Sequence, residues 1–338
     1  MNIAAIAFTQ AGLALGRRIQ RLLPEDAVTV AAATGPDKVS FRRWTEEHFP
    51  VSDALVYIGA AGIAVRAVAP LVRSKTSDPA VLVLDDRGRF CIPLLSGHLG
   101  GANALARRLA AALDAVPVIT TATDNHGVFA VDTWAQSQGL AIVNPEGIKG
   151  FSARLLAGQP ARLHSDFPIT GRIPEGVVLV GGKPFDASIT ARPRGARDVL
   201  YLVPKAACVG VGCRKDVAPE AVEQALDMLL AKGGGIDRRA VCGLYTLDRK
   251  AAEPALLALA EKLGVPLTAY TAAELNAVRG QFTASAFVQK TTGTDNVCER
   301  SAVLGSGGGR LYLKKNAGNG VTMAMALRDV TIRFEEEP

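Results

Sequence analysis

The 338 residues suffice for two or three domains with separate cores, and they are 49% hydrophobic, 21% charged and only 5% aromatic. So few aromatic side chains, and no dense Lys/Arg run behind the formal charge of +6, argue against an oligonucleotide-stacking surface and favour an acidic small-molecule ligand. Five cysteines without a Cys-x-x-Cys pair argue against a disulfide framework, and no uninterrupted apolar run reaches membrane-spanning length.

The first twelve residues, MNIAAIAFTQAG, have neither the basic flank nor the cleavage site of a signal peptide. They read as a buried strand over Ile3 to Thr9, so a cytoplasmic protein is expected. The helical LALGRRIQRLL follows. A second strand spans Asp53 to Ala60, ends in the turn GAAG and leads into a helix around IAVRAVAPL. PAVLVLDDRGRFCIPLL reads as two strands joined at Asp86-Arg87-Gly88, a hairpin-like turn. Next come SGHLGGAN, an alanine-rich helix to Leu113 and the short strand VPVITTA. Strands alternating with helices imply a mostly parallel sheet covered on both faces.

From Asn144 to about Pro204, short strands are broken by Pro and Gly. A second α/β unit starts near Ala207. It has the strand CVGVGC, a helix with Pro219 near its first turn, the strand VCGLYTL and a helix closed by Gly264. Thr271 and Glu274 are spaced as a capping box. GRLYLKKNAGNGVTMAMAL reads as two strands around a glycine-rich turn, so this sheet mixes orientations. The expected fold is therefore α/β: two three-layer α/β/α lobes with mostly parallel sheets, joined by a small α/β middle segment. The expected domains are 1–135, 136–205 and 206–338.

Ligands in such folds bind where strands hand over to helix N-termini. Five turns qualify: Thr9–Gly12, Gly59–Gly62, Ser96–Gly101, Thr123–Gly127 and Gly210–Arg214. SGHLGGAN has no Gly-Lys-Ser/Thr and is not a phosphate loop, and GVGCRK places Lys215 where a dinucleotide fingerprint needs its third glycine. His98 is one of four histidines, and its intrinsic pKa suits a general base. Ser96 and Asn103 stand close enough in sequence to orient it or to donate to an oxyanion. Asp124, two positions before His126, is an alternative base or orienting group. His98, His126 and Asp124 lack a recognised metal-ligand spacing, so no metal site is expected. Cys213 precedes Arg214 and Lys215, whose charges would lower a thiol pKa. Arg66, Arg73 and Lys75, and further on Lys314 and Lys315, offer cations for carboxylates.

IGAAGIAVRAVAPLVRSKTSDPAVLVLDDRGRFCIPLLSGHLGGANALA, continued by TTATDNHGVFAVDTWA, resembles the N-terminal signature of the CbiG family, the cobalt-precorrin-5A hydrolases of anaerobic cobalamin biosynthesis. VGVGCRKDV, FVQKTTGTDNVCERSAVL and GGGRLYLKKNAGNGVTMAMA resemble that family's C-terminal domain. The resemblance implies a cobalt-containing tetrapyrrole substrate whose ring-A δ-lactone is opened with loss of acetaldehyde, giving cobalt-precorrin-5B. Cobalt then arrives with the substrate, and no separate cofactor is expected. Set beside the turns above, it makes His98, Ser96 and Asp124 the expected catalytic residues. Gly59, Gly62, Arg66, Lys75, Gly97, Gly100, Gly101, Asn103, Gly212, Cys213, Arg214 and Lys314 are the expected substrate-binding residues. The expected partner is the small-molecule tetrapyrrole, with transient contacts to neighbouring pathway enzymes and neither nucleic acid nor membrane. The competing reading is a non-catalytic protein that binds or shuttles the tetrapyrrole.

Overall fold

The computed structural model describes residues 1–74, 77–195 and 197–334, and the chain divides into two compact units, Met1–Trp134 and Ala135–Pro338. In the first, β1 (Asn2–Ala7), α1 (Gln10–Leu22), β2 (Ala27–Ala32), α2 (Phe41–His48), β3 (Ala54–Ile58) and α3 (Ala61–Val68) alternate. They are followed by β4 (Ala80–Leu84), β5 (Phe90–Leu95), α4 (Ala102–Leu113), β6 (Val116–Pro117), α5 (Ala122–Asn125) and α6 (Val131–Ser137). The strands form one sheet in the order β2-β1-β3-β4-β5-β6. β1 to β4 are parallel, β5 runs against β4, and β6 runs with β5.

The period of two along each strand sorts the core into two layers. Ile3, Ala5 and Ala7 face α1 and α4, packing with Leu15, Ile19, Leu105 and Leu109. Ala4 and Ile6 point the other way, toward Trp44 of α2 and Ala64, Ala67 and Val68 of α3. Each fully buried Leu or Ile contributes about 1.5–3 kcal/mol, so two such layers are what make this unit fold. Thr9 caps α1, its Oγ1 accepting from the Gly12 N–H at 3.0 Å. β2 and α2 carry weak signals in the sequence. AVTVAA is short and alanine-rich, and FRRWTEEH shows apolar residues only at its first and fourth positions.

The second unit opens with β7 (Ala141–Ile142), α7 (Glu146–Leu156), β8 (Ala161–Ser165), β9 (Ile169–Thr170), β10 (Val177–Leu179), β11 (Ala187–Ile189) and β12 (Leu200–Val203). Five of these strands make a sheet ordered β10-β8-β11-β12-β7, parallel except for β7. Then come β13 (Ala207–Cys213), α8 (Pro219–Lys232), β14 (Val241–Leu247), α9 (Pro254–Leu263), β15 (Leu267–Tyr270), α10 (Ala272–Ala277), α11 (Ala286–Thr292), α12 (Val297–Gly305), β16 (Arg310–Gly318), β17 (Val321–Leu327) and β18 (Ile332–Arg333).

The second large sheet is β15-β14-β13-β17-β16, with β13, β14 and β15 parallel and β17 antiparallel to both its neighbours. Val209, Val211, Leu244, Met323 and Met325 pack on α8 and α9. α12 covers the opposite face. Gly210 makes that contact possible, because a Cβ there would stand 1.8 Å from the Cys298 carbonyl oxygen. The expected capping box of α10 forms between Thr271 and Glu274. β18 turns back and pairs with β9 in a separate two-stranded sheet. Among the described residues no helix is long and apolar enough to cross a membrane.

Candidate functional site

The loop Ser96–Gly101 is held by its own backbone. Gly101 N donates to His98 O at 2.9 Å, Ala102 N to Ser96 O at 3.1 Å and Asn103 N to Gly97 O at 2.9 Å. Ser96 (φ 58) and Gly101 (φ 80) are left-handed, and a Cβ on Gly100 would fall 2.2 Å from the Ser96 Cβ. The glycines are therefore what lets the loop close on itself. That closure directs the His98 ring toward α5 and the first turn of α6.

His98 sits between two carboxylates, with Nδ1 3.1 Å from Asp132 Oδ2 and Nε2 3.0 Å from Asp124 Oδ2. Thr123 Oγ1 lies 3.1 Å from the same Nε2. Asp124 is heavily engaged: Asn103 Nδ2 donates to its Oδ2 at 2.9 Å, Thr121 Oγ1 donates to that oxygen too, and Arg107 Nη2 pairs with Oδ1. The Asp124 side chain is 15% exposed and that of Asp132 8%, so water screens these contacts weakly.

The hydrogen bond to Asp132 raises the His98 pKa most; burial opposes it, the Asp132 and Asp124 charges add to it, and the result is about 9. Burial pushes Asp124 up, but hydrogen bonds from Thr121, Arg107 and His98 outweigh it and hold the carboxyl below its usual range. Asp132 is likewise lowered, burial being outweighed by the His98 hydrogen bond and charge. The resting site is thus an imidazolium and a guanidinium against two carboxylates. Perturbed titrating groups of this kind gather at functional sites.

This alters the role expected of His98. A ring with pKa near 9 is protonated at neutral pH, and with both nitrogens donating it has a proton to give and no lone pair to accept one. Ser96 also differs from expectation. It is buried, and its Oγ donates to Asp78 O at 3.0 Å, which ties the loop to the approach to β4 and leaves no proton for an oxyanion. Asn103 holds Asp124 and Thr121 through its Nδ2. His126 is exposed just beyond α5. Among the described residues no group of three or more His, Cys, Asp or Glu is placed to hold a metal ion.

The structure gathers Ser96, Gly97, His98, Gly100, Gly101, Asn103 and Asp124 in one place and leaves Gly59, Gly62 and Arg66 elsewhere. Because β5 is antiparallel, its C-terminal end and the loop after it stand at the edge where β4 begins. Gly59 and Gly62 follow the C-terminal end of β3, one strand length (~17 Å) away at the other edge. Arg66 folds back on its own helix, Nη1 donating to Gly62 O at 3.1 Å. Arg73 lies on the histidine edge, its backbone N donating to Asp78 Oδ2 at 2.8 Å. Lys75 lies outside the described residues.

Gly212, Cys213 and Arg214 belong to the other unit, where they line a cavity at the ends of β13 and β14. Lys315, and not the exposed Lys314, lines it with them. Burial pushes the Cys213 thiol up to about 11 against the smaller opposing charge of Lys250, so the lowering expected from Arg214 and Lys215 does not occur. Asp132 was not legible in the sequence. It stands 34 residues from its partner, and only its place in the first turn of a helix just after the Asp124 segment hints at it.

Residues 43–124 match the family model for the cobalamin synthesis G N-terminal region, 129–218 that for the cobalamin biosynthesis central region, and 207–326 that for the cobalamin synthesis G C-terminus. A cobalt-precorrin-5A hydrolase from Salmonella typhimurium is 35% identical over 325 residues, which cover 91% of this chain and 92% of that protein. The chain belongs to the CbiG family. A second CbiG relative, the cobalt-precorrin-5A hydrolase of Priestia megaterium, is 30% identical across 96% of this chain and 95% of its own. The crystal structure of a cobalamin biosynthesis protein G homolog from Sulfolobus solfataricus covers 97% of each chain at 24% identity, with a TM-score of 0.41. In CbiG terms the charged cluster bridges two modules, since His98 and Asp124 fall in the N-terminal match and Asp132 in the central one.

Proposed function

We propose that this chain is a cobalt-precorrin-5A hydrolase of cobalamin biosynthesis whose acid–base chemistry is carried by His98, Asp124 and Asp132. The observation that carries the reading is the imidazolium held between two carboxylates, in a chain of a family whose full-length relatives bear that name.

Water, oriented by Asp124, adds to the lactone carbonyl, and its surplus proton passes to solvent as the new carboxyl group ionises. The bond between the former carbonyl carbon and the lactone oxygen breaks as the leaving alkoxide takes the Nε2 proton of His98. Asp132, on Nδ1, fixes the ring and supports its charged form before and after transfer. In the second stage His98, now neutral, takes that hydroxyl proton back. The oxygen becomes the carbonyl of acetaldehyde, the C–C bond breaks, and its electron pair passes into the conjugated macrocycle. The ring therefore acts first as acid and then as base, and ends in its resting form. Backbone N–H groups of Gly97, His98 and Gly100 are the oxyanion donors in this scheme. Cobalt comes with the substrate, and the scheme invokes no other cofactor. We place this activity in the cytoplasm.

Acetaldehyde release from cobalt-precorrin-5A tests the reading. The unmodified chain releases it, and His98→Gln lowers turnover by about 10²–10⁴-fold with substrate binding retained. Substrate binding without any acetaldehyde from the unmodified chain would overturn it in favour of a carrier.

A further inference from the structure

The cavity in the unit 135–338 has a volume of about 810 Å³, near the upper end of the ~300–1,000 Å³ usual for ligand sites. It opens at the carboxyl ends of β13 and β14 beside the turn from β16 to β17. Its wall is apolar, with Leu247, Val288, Val297 and Val321, and Gly212, Gly318 and Gly320 leave part of its surface flat. The charged side chains on its lining are Arg214, Arg249, Lys250 and Lys315, and none of the described lining residues is acidic. Two of the cations are engaged: Lys250 pairs with Glu253 at 2.7 Å, and Arg249 Nη1 donates to Thr291 O at 3.1 Å. Neither the Arg214 nor the Lys315 side chain pairs with a carboxylate among the described residues, although the Lys315 backbone N donates to Glu299 Oε1 at 2.7 Å.

The cations come from separate elements, the end of β13, the segment after β14, and β16. Charge distributed in this way suits a ligand with carboxylates around its edge better than one, such as a nucleotide, whose charge gathers at one end. Phe287, on α11, also lines the cavity and is 77% exposed, the most exposed of the large apolar side chains. An aromatic ring left in water at a cavity's border gains from a flat conjugated partner. We infer that this cavity docks the tetrapyrrole, Phe287 lying on the face of the macrocycle while Arg214, Arg249 and Lys315 take its peripheral carboxylates. The identity of the ligand rests on the hydrolase reading above; its placement rests on this lining.

Tryptophan at position 287 reports directly. Both native tryptophans, Trp44 and Trp134, are buried in the other unit. Phe287→Trp is titrated with dicyanocobyrinic acid, a cobalt corrinoid with free carboxylates, and with its fully methylated ester. The acid quenches the new emission saturably. Arg214→Gln with Lys315→Gln raises Kd by roughly 10²-fold, about tenfold for each lost charge-assisted bond, and the ester binds as weakly. Unchanged emission at acid concentrations where calorimetry detects binding overturns the placement, as does an unchanged Kd in the double variant. The two readings fail separately. Charge-dependent quenching without acetaldehyde from cobalt-precorrin-5A removes the hydrolase and keeps the cavity. Acetaldehyde release with unaltered KM in the double variant, and no quenching, removes the cavity and keeps the hydrolase.

Discussion

His98 and its two carboxylates make the activity and the stability of the N-terminal unit depend on pH in ways that can be separated. The ring must carry a proton to release the alkoxide, so turnover falls as pH rises through about 9. Asp132→Asn removes the largest contribution to that value and moves the falling limb of the pH–rate profile down by one unit or more. Rates measured from pH 6 to 10 for both proteins check this; coincident profiles would refute it. Stability follows the same linkage. The folded pKa of about 9 lies above the ordinary 6.5, so the stabilisation is complete below 6.5 and is lost as pH rises through 9. After allowance for solvent screening it is on the order of 2 kcal/mol. The difference in thermal unfolding of this unit between the unmodified chain and His98→Gln should therefore shrink from pH 6.5 to pH 9.5. At this scale His98, Asn103 and Asp124 were legible because each lies in or beside a turn that leads into a helix, although Asp124 is 26 residues from His98. Asp132 was not, because its partnership exists only in the folded chain. The protonated state of His98 was hidden for the same reason, since both carboxylates that flank it come from other segments of the chain.

Two glycines decide whether whole elements can meet. Gly100→Ala forces a Cβ to 2.2 Å from that of Ser96, so the loop must open and turnover falls at least as far as in His98→Gln. The rest of the unit keeps its fold, which circular dichroism checks. Gly210→Ala acts on packing: a methyl 1.8 Å from the Cys298 carbonyl and 2.7 Å from Ala302 N pushes α12 off β13. Overpacking of this kind costs about 1–3 kcal/mol or more, and urea unfolding of the 135–338 unit should show it. The strands on either side of Asp86-Arg87-Gly88 were readable from their apolar runs and the turn between them. Their consequence was harder to see. An antiparallel β5 carries the following loop to the edge opposite the other glycine turns, and a rule built on parallel strands had grouped Gly59, Gly62 and Arg66 with His98.

On the scale of the molecule, the alternation of apolar runs and helical stretches foretold two three-layer lobes and a sheet of mixed direction. It did not foretell how the chain's end is used. β18 is only two residues long, yet it pairs with β9, and Phe334 N donates to Thr170 O at 2.9 Å while the Phe334 side chain is buried. Ending the chain at Asp329 should expose the segment 166–172 to proteases under conditions where the full chain resists, with the large β13–β17 sheet unaffected. Equal resistance of the two proteins would refute that dependence. The reversal of β5 has a practical consequence too. The tip of the β4–β5 hairpin, with Arg87 exposed, stands on the edge of the N-terminal sheet opposite the histidine loop. An affinity tag inserted after Arg87 would stand at the opposite end of the strands from the loop that holds His98 and leave that loop uncovered.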